Sequence, residues 1–414
     1  MSNIEWTDTT WNPVIGCTPV SPGCLNCYAA TMARRLEAMG KPDYAPRDEV
    51  TPERQTMPDA FGVRTIPATT KTVRIAEVRG GRAVFTGDVR CLPDRLADPL
   101  GWKKPRMVFV NSMSDLFHGG IYGQDHDDYR WVEGRFSQAG FEFLCEVVSV
   151  IRLTPRHTYQ ILTKRPRIMA DMWPRVLRKL NISEPIPNVW LGCSVEDQKT
   201  ADERIPHLLK CPAAVRFVSY EPALGPVDFR FDREVLTDIM DTESRSDRHR
   251  GTYPFKNAPP EARTRRKHNL HWVIVGGESG HDARPFNVEC GRSVVRQCAD
   301  AGVLCFMKQL GARPYDGRAP ICEFTSFAQW VNKARSWLGG VSESGRRHAG
   351  RFAGLCVDQR DRVCDIGKDF MRARDDGSFP VRAYEWMPLR SRKGSDPSEW
   401  PSDLRVRQVP GGES

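Results

Sequence analysis

TYQILTKRPRIMADMWPRVLRKLNISEPIPNVWLGCSVE, residues 158–196, sets two apolar runs on either side of one amphipathic stretch. The runs TYQILTK (158–164) and NVWLGCSVE (188–196) have near-continuous apolar centres, the pattern of strands buried on both faces of a parallel sheet. Between them RIMADMWPRVLRKL (167–180) has the composition of an amphipathic helix. The segment therefore reads as one β–α–β unit.

The same unit recurs along the chain. RAVFTG (82–87), RMVFVNSM (106–113), VRFVSYEP (215–222), HWVIVGGES (271–279) and VLCFMKQ (303–309) read as further strands. FEFLCEVVSVIRL (141–153) and CGRSVVRQCADAG (290–302) read as further helices. Seven strands alternating with helices predict an α/β fold, a TIM-like, partial β/α barrel; an open doubly wound sheet is the alternative. The barrel-like pattern covers 1–310, with an insertion at 231–270, and 311–414 reads as an irregular extension packed on it.

Composition excludes several classes. The chain has 414 residues, is 40% hydrophobic and 27% charged, and contains no apolar run of membrane-spanning length. Its first residues, MSNIEWTDTTWNP, lack the basic and apolar regions of a secretory signal, so a cytoplasmic location is expected. The net charge of +9 fits a polyanionic partner such as a nucleic acid or nucleotide. Residues 242–270 hold eight Lys or Arg against three acidic residues. A solvated loop is the default reading of that run, and an arm for a phosphate backbone the sharper one.

Polar residues close the strands: Asn111, Ser112 and Asp115; Thr163 and Lys164; Ser194 and Glu196; Ser219 and Glu221; Glu278 and Ser279; Lys308 and Gln309. In a barrel these ends converge on one face and build a shared pocket. Asn111, Ser112, Ser114, Asp115 and His118 suit a polar ligand or a helix cap. Lys164, Arg165 and Lys308 suit a phosphate or carboxylate, or else pair with Glu196 and Glu221 in a buried ionic ring.

Three of the thirteen cysteines lie together in GCTPVSPGCLNCYAAT (16–31). Cys17, Cys24 and Cys27 have the spacing C-x6-C-x2-C in a Pro- and Gly-rich loop that runs into the helix-like YAATMARRLEAM (28–39). Cys27 then stands at a helix N-terminus, where thiolate is favoured. A structural zinc would need a fourth ligand, and no nearby Cys or His supplies one; a [4Fe–4S] cluster needs only three cysteines and leaves one iron open.

The runs IEWTDTTWNPVIGCTPVSPGCLNCYA (4–29), FVNSMSDLFH (109–118), ILTKRP (161–166), NVWLGCSVEDQ (188–198), FVSYEP (217–222), WVIVGGESG (272–280) and EWPSDLRVRQ (399–408) resemble a family of uncharacterised phage and bacterial proteins. That family is known for a three-cysteine motif and is considered radical-SAM-like. The resemblance implies a cluster on Cys17, Cys24 and Cys27, with S-adenosylmethionine bound at the open iron. Reductive cleavage of that cosubstrate would give a 5′-deoxyadenosyl radical for modification or repair of a nucleic acid or nucleotide. It further implies an electron donor and a partner protein, with Gly276, Gly277 and Glu278 near the methionyl group. Lys164, Glu196, Glu221 and Lys308 are the candidate catalytic residues, and Asn111, Ser112, Asp115 and Ser279 join the cofactor site. The rival reading is a zinc-stabilised nucleic-acid-binding protein without catalysis.

Overall fold

A computed structural model describes residues 4–51, 54–55, 65–66, 69–122, 137–231, 270–280, 282–317, 322–324, 355–357, 363–365, 381–384, 387, 389 and 393–411. The basic run at 242–269 and most of the extension lie outside them.

Seven strands make one sheet: β1 (Thr9–Trp11), β2 (Met107–Val110), β3 (Thr158–Thr163), β4 (Val189–Val195), β5 (Val215–Tyr220), β6 (Trp272–Gly276) and β7 (Leu304–Gln309). Every pairing is parallel and every neighbour is the next of these strands along the chain. β1 and β7 are not paired with each other, so the sheet is a half-barrel, curled and open on one side. Its connections carry α2 (Gln138–Leu153), α3 (Pro166–Lys179), α4 (Gln198–Lys210) and α5 (Val288–Ala301), with α1 (Tyr28–Ala38) in the long excursion between β1 and β2.

Both faces of the sheet are buried, which is why the strands read as continuous apolar runs. One face, including Val110, Ile161, Leu191, Val218, Val275 and Met307, packs with the helices in the main core. The alternate residues Phe109, Trp190, Phe217, Trp272, Ile274 and Phe306 form a second core on the concave face, where Trp6 plugs the space from the chain before β1. Trp6 meets Phe109 edge-on at 4.9 Å, and Trp272 meets Trp190 at 5.8 Å, the T-shaped contacts aromatic rings prefer. Local sequence terminates the helices sensibly. Asp197 and Thr200 close a capping box at the start of α4, and Gly302 ends α5 with φ of +68°.

Two expectations are corrected. RAVFTG is not a strand of the parallel sheet: Arg82–Phe85 pairs antiparallel with Ala76–Arg79 and packs on α1. Gly80 and Gly81, both at positive φ, make the two-residue turn that closes such a hairpin. The short polar β1 takes the seventh place instead. The extension is also not wholly irregular, because Cys322–Phe324, Val381–Tyr384, Leu355–Val357 and Val363–Asp365 form a four-stranded antiparallel sheet. Residues 393–411 return to the barrel, where Met307 N donates to Val406 O (2.7 Å) and Gln408 N to Cys305 O (2.9 Å). The free edge of β7 is thereby covered.

Candidate functional site

The cysteine loop begins at Gly16, whose φ of +86° and close approach to the Asp88 carbonyl admit no side chain: a Cβ there would lie 1.9 Å from Asp88 O. A short 3-10 turn, Pro22–Cys24, follows, and Cys27 is the residue that opens α1.

Side chains from distant strand ends hold this loop across the C-terminal mouth of the half-barrel. Ser21 Oγ donates to Glu196 Oε1 at the end of β4 (2.9 Å). Gly23 rests against the same carboxylate, with room for no Cβ (2.4 Å to Oε1). After β3, Arg165 donates through Nη2 to Thr18 O (2.9 Å), through Nη1 to Asp115 Oδ2 (3.1 Å), and lies 3.6 Å from Cys17 Sγ. After β6, Glu278 accepts from Asn26 Nδ2 (3.0 Å) and from Arg284 Nη2 (2.7 Å), and Arg284 Nη1 reaches Pro22 O (2.8 Å). Tyr28 Oη donates to Ser112 O (2.8 Å). His118 Nδ1 accepts from Gly120 N (3.1 Å), so the ring proton sits on Nε2 and is given to Thr18 Oγ1 (2.9 Å).

The three thiols are free and half-buried. Burial pushes the Cys17 thiol up to about 12, against the pull of Arg165. Burial likewise raises Cys27, against the Ala30 and Ala29 amides at the start of α1. Tyr28 is 58% exposed, while desolvation of its hydroxyl raises it. Among the described residues no three His, Cys, Asp or Glu side chains are arranged as a set that could hold a metal ion.

The sequence matches the family described as "Protein of unknown function (DUF5131)" over residues 1–129 and 134–359. The chain belongs to that family. No curated protein and no solved structure matches it. The DUF5131 match takes in the cysteine loop and all seven strands.

In this DUF5131 chain most of the expected site residues surround the loop, but largely as each other's partners. Lys164 Nζ pairs with Glu196 Oε1, and Arg204 Nη1 donates to Glu196 Oε2 (3.0 Å). Burial would raise the Glu196 carboxyl; Lys164 and Arg204 outweigh it and hold it below the usual range. Lys308 Nζ pairs with Glu221 Oε1 (2.6 Å), to which Gln309 Nε2 also donates (3.3 Å). These are two separate groups of ion pairs, one centred on Glu196 and one on Glu221.

Asp115 is an internal cap and clamp, accepting from Phe117 N (3.0 Å), Thr163 Oγ1 (2.7 Å) and Lys164 N (3.0 Å) besides Arg165. Ser112 Oγ donates to Asn12 Oδ1 (3.1 Å). Asn111 adopts φ of +61°; its Oδ1 accepts from Val14 N (3.4 Å), while its Nδ2 is buried without a partner. Gly276 lies against Glu221, and Gly277 against Leu310 O, where a Cβ would come within 2.3 Å. Ser279 is exposed beyond them.

Ser21, Asn26 and Arg284 escaped the sequence reading. A polar residue on each side of Cys24, and a cation six residues after Glu278, were the signals available.

Proposed function

We propose that Cys17, Cys24 and Cys27 hold a [4Fe–4S] cluster and that the barrel mouth is a radical-SAM-type active site acting on a nucleic acid or nucleotide. The observation that carries this reading is the placement of three unpaired thiols on one loop, fastened over the C-terminal ends of β3, β4 and β6. The donors suit such a group in kind, three soft sulfurs, one facing a guanidinium and one at a helix start, but as placed they do not form a set that could hold it. Loading requires the loop to draw its sulfurs together.

A cluster held by Cys17, Cys24 and Cys27 would supply the electron that cleaves S-adenosylmethionine. The chain's own groups do the rest. The clamp fixes the loop's position, and the aromatic core beneath excludes water from the concave face. Lys308 and Glu221, each partly exposed, offer a cation and a carboxylate to orient a zwitterionic or phosphate-bearing ligand. The net charge of +9 supports a polyanionic substrate. Zinc is disfavoured because His118, which touches the loop, has both ring nitrogens engaged.

Anaerobic reconstitution with iron and sulfide tests the reading. A brown protein with a reducible EPR signal is expected, losing colour in Cys17→Ala, Cys24→Ala and Cys27→Ala. Reduced with S-adenosylmethionine, it should release 5′-deoxyadenosine. Colourless protein with one tight zinc, or loaded protein that never yields that product, would end the proposal.

A further inference from the structure

Helix α1 carries its apolar side chains the wrong way round for a helix packed on a core. Facing the hairpin are the small residues Ala29, Ala30 and Ala33, with Leu36 half-buried beside them. The other large apolar side chains lie outside: Tyr28 is 58% exposed, Met32 38% and Met39 69%, and Leu25, just before the helix, 49%. With the exposed Arg35 they occupy positions 25, 28, 32, 35 and 39. Alternating steps of three and four residues are the seam of one helix packed against another, narrower than the stripe that faces a domain core. Met39 N donates to Arg35 O (2.9 Å), so the helical turn reaches the end of the seam. Single exposed apolar residues are ordinary on a surface, but a row of four on one element marks a docking face. Glu37, the only carboxylate of α1, is taken by Arg34 (2.8 Å) and Arg74, and among the described residues no carboxylate pairs with Arg35.

We infer that this seam is a dimer contact, in which α1 of a second copy of the chain packs antiparallel to it across a two-fold axis at Met32. The order of the seam decides the occupant, because the seam is complementary to its own reverse. The two Met32 side chains meet at the two-fold, and Leu25 comes to Met39 of the other copy. Tyr28 and the second copy's Arg35 fall within about 1.5 Å of each other along the helix. The only cation of the seam is thus set against its only aromatic ring, a cation–π pair. The two Arg35 side chains stay about 9 Å apart along the helix, whereas parallel packing would oppose them directly. The Tyr28 ring is held ready for this contact, since its hydroxyl donates to Ser112 O (2.8 Å). Five side chains make a small contact, below about 1,200 Å² in total, so the association is reversible. The inference does not depend on what the three cysteines hold.

Sedimentation equilibrium of the full chain under reducing conditions, over a wide range of concentration, tests the contact. Wild type should pass from monomer to dimer as concentration rises. Met32→Glu sets two carboxylates together at the two-fold and should weaken the dimer at least about tenfold, because like charges opposed in an interface are costly. Arg35→Glu should weaken it as well, by turning a carboxylate onto the negative face of the Tyr28 ring. Adding Tyr28→Arg to Arg35→Glu puts an ion pair where the cation–π pair stood and should restore association.

Wild type that stays monomeric throughout would overturn the proposal, as would a dimer that Met32→Glu leaves intact. A folded double variant no tighter than Arg35→Glu would overturn the antiparallel pairing on which the proposal rests. Should the double variant fail to fold, Met32→Glu decides, since its site is on the surface. Monomeric wild type that binds phosphatidylserine vesicles or a labelled single-stranded oligonucleotide, and loses that binding in Met32→Glu, would overturn the dimer and give the seam to that occupant.

Discussion

Glu196 and Glu278 are the carboxylates on which the loop hangs, and both hold their protons less tightly than usual. At Glu278 burial would raise the carboxyl, but the side chain and amide of Arg284, with Asn26, bring it below the ordinary value of 4.5. Lys164 and Arg204 do the same for Glu196. A depressed folded value makes the unfolded chain the better proton binder in acid. The contribution of these groups is therefore complete above 4.5 and is lost as pH falls from there through the lower folded values. Thermal unfolding from neutral pH into acid should show this as a falling Tm. The fall should be shallower in Glu278→Gln, which has no such carboxylate to protonate. Parallel curves for the two proteins would mean that Glu278 carries no native-state charge pairing.

The loop as an element depends on Gly16 more than on any other glycine near it. Positive φ costs an L-residue about 1–2 kcal/mol, and here the new methyl would also meet a backbone carbonyl that has nowhere to go. Gly80, at the hairpin tip, has positive φ and open space around it. Gly16→Ala should thus lose more stability in urea unfolding than Gly80→Ala, which should lose only the backbone cost of about 1 kcal/mol. Gly16→Ala should also speed alkylation of Cys17. Equal losses would show that the approach to Asp88 is not tight.

The same two elements mark how far the sequence could be read. β2 to β7 were legible because burial on both faces leaves a dense apolar run. β1, with Thr-Thr-Trp, has no such run and is a strand only because β2 pairs with it. Arg82–Phe85 was misplaced because a short run ending in Phe looks the same in a hairpin as in a sheet. The three cysteines were legible as a cluster in sequence; their clamp was not. Ser21 and Glu196 are 175 positions apart, and Asn26 and Glu278 are 252 apart. No local pattern links residues at such separations.

A half-barrel leaves two sheet edges where a closed barrel leaves none, and the whole molecule deals with β7 through its last described residues. Trp400, 2% exposed, is the anchor of that segment, joining the main core and donating from Nε1 to Gly394 O (3.0 Å). Arg407 lies over both Trp400 and Phe306, at 5.3 and 5.2 Å from the ring centres. Trp272 of the concave core donates to Gln408 O (2.8 Å), and Arg292 of α5 pairs with Asp403 (2.7 Å). The tail therefore touches both cores. Trp400→Ala should cost about 3–5 kcal/mol, the range for deleting a buried tryptophan. Because the anchor also keeps the β7 edge paired, the variant should self-associate at concentrations where wild type does not. Urea unfolding and light scattering read the two effects separately. A stable, monodisperse Trp400→Ala protein would show that the half-barrel needs no cover on that edge.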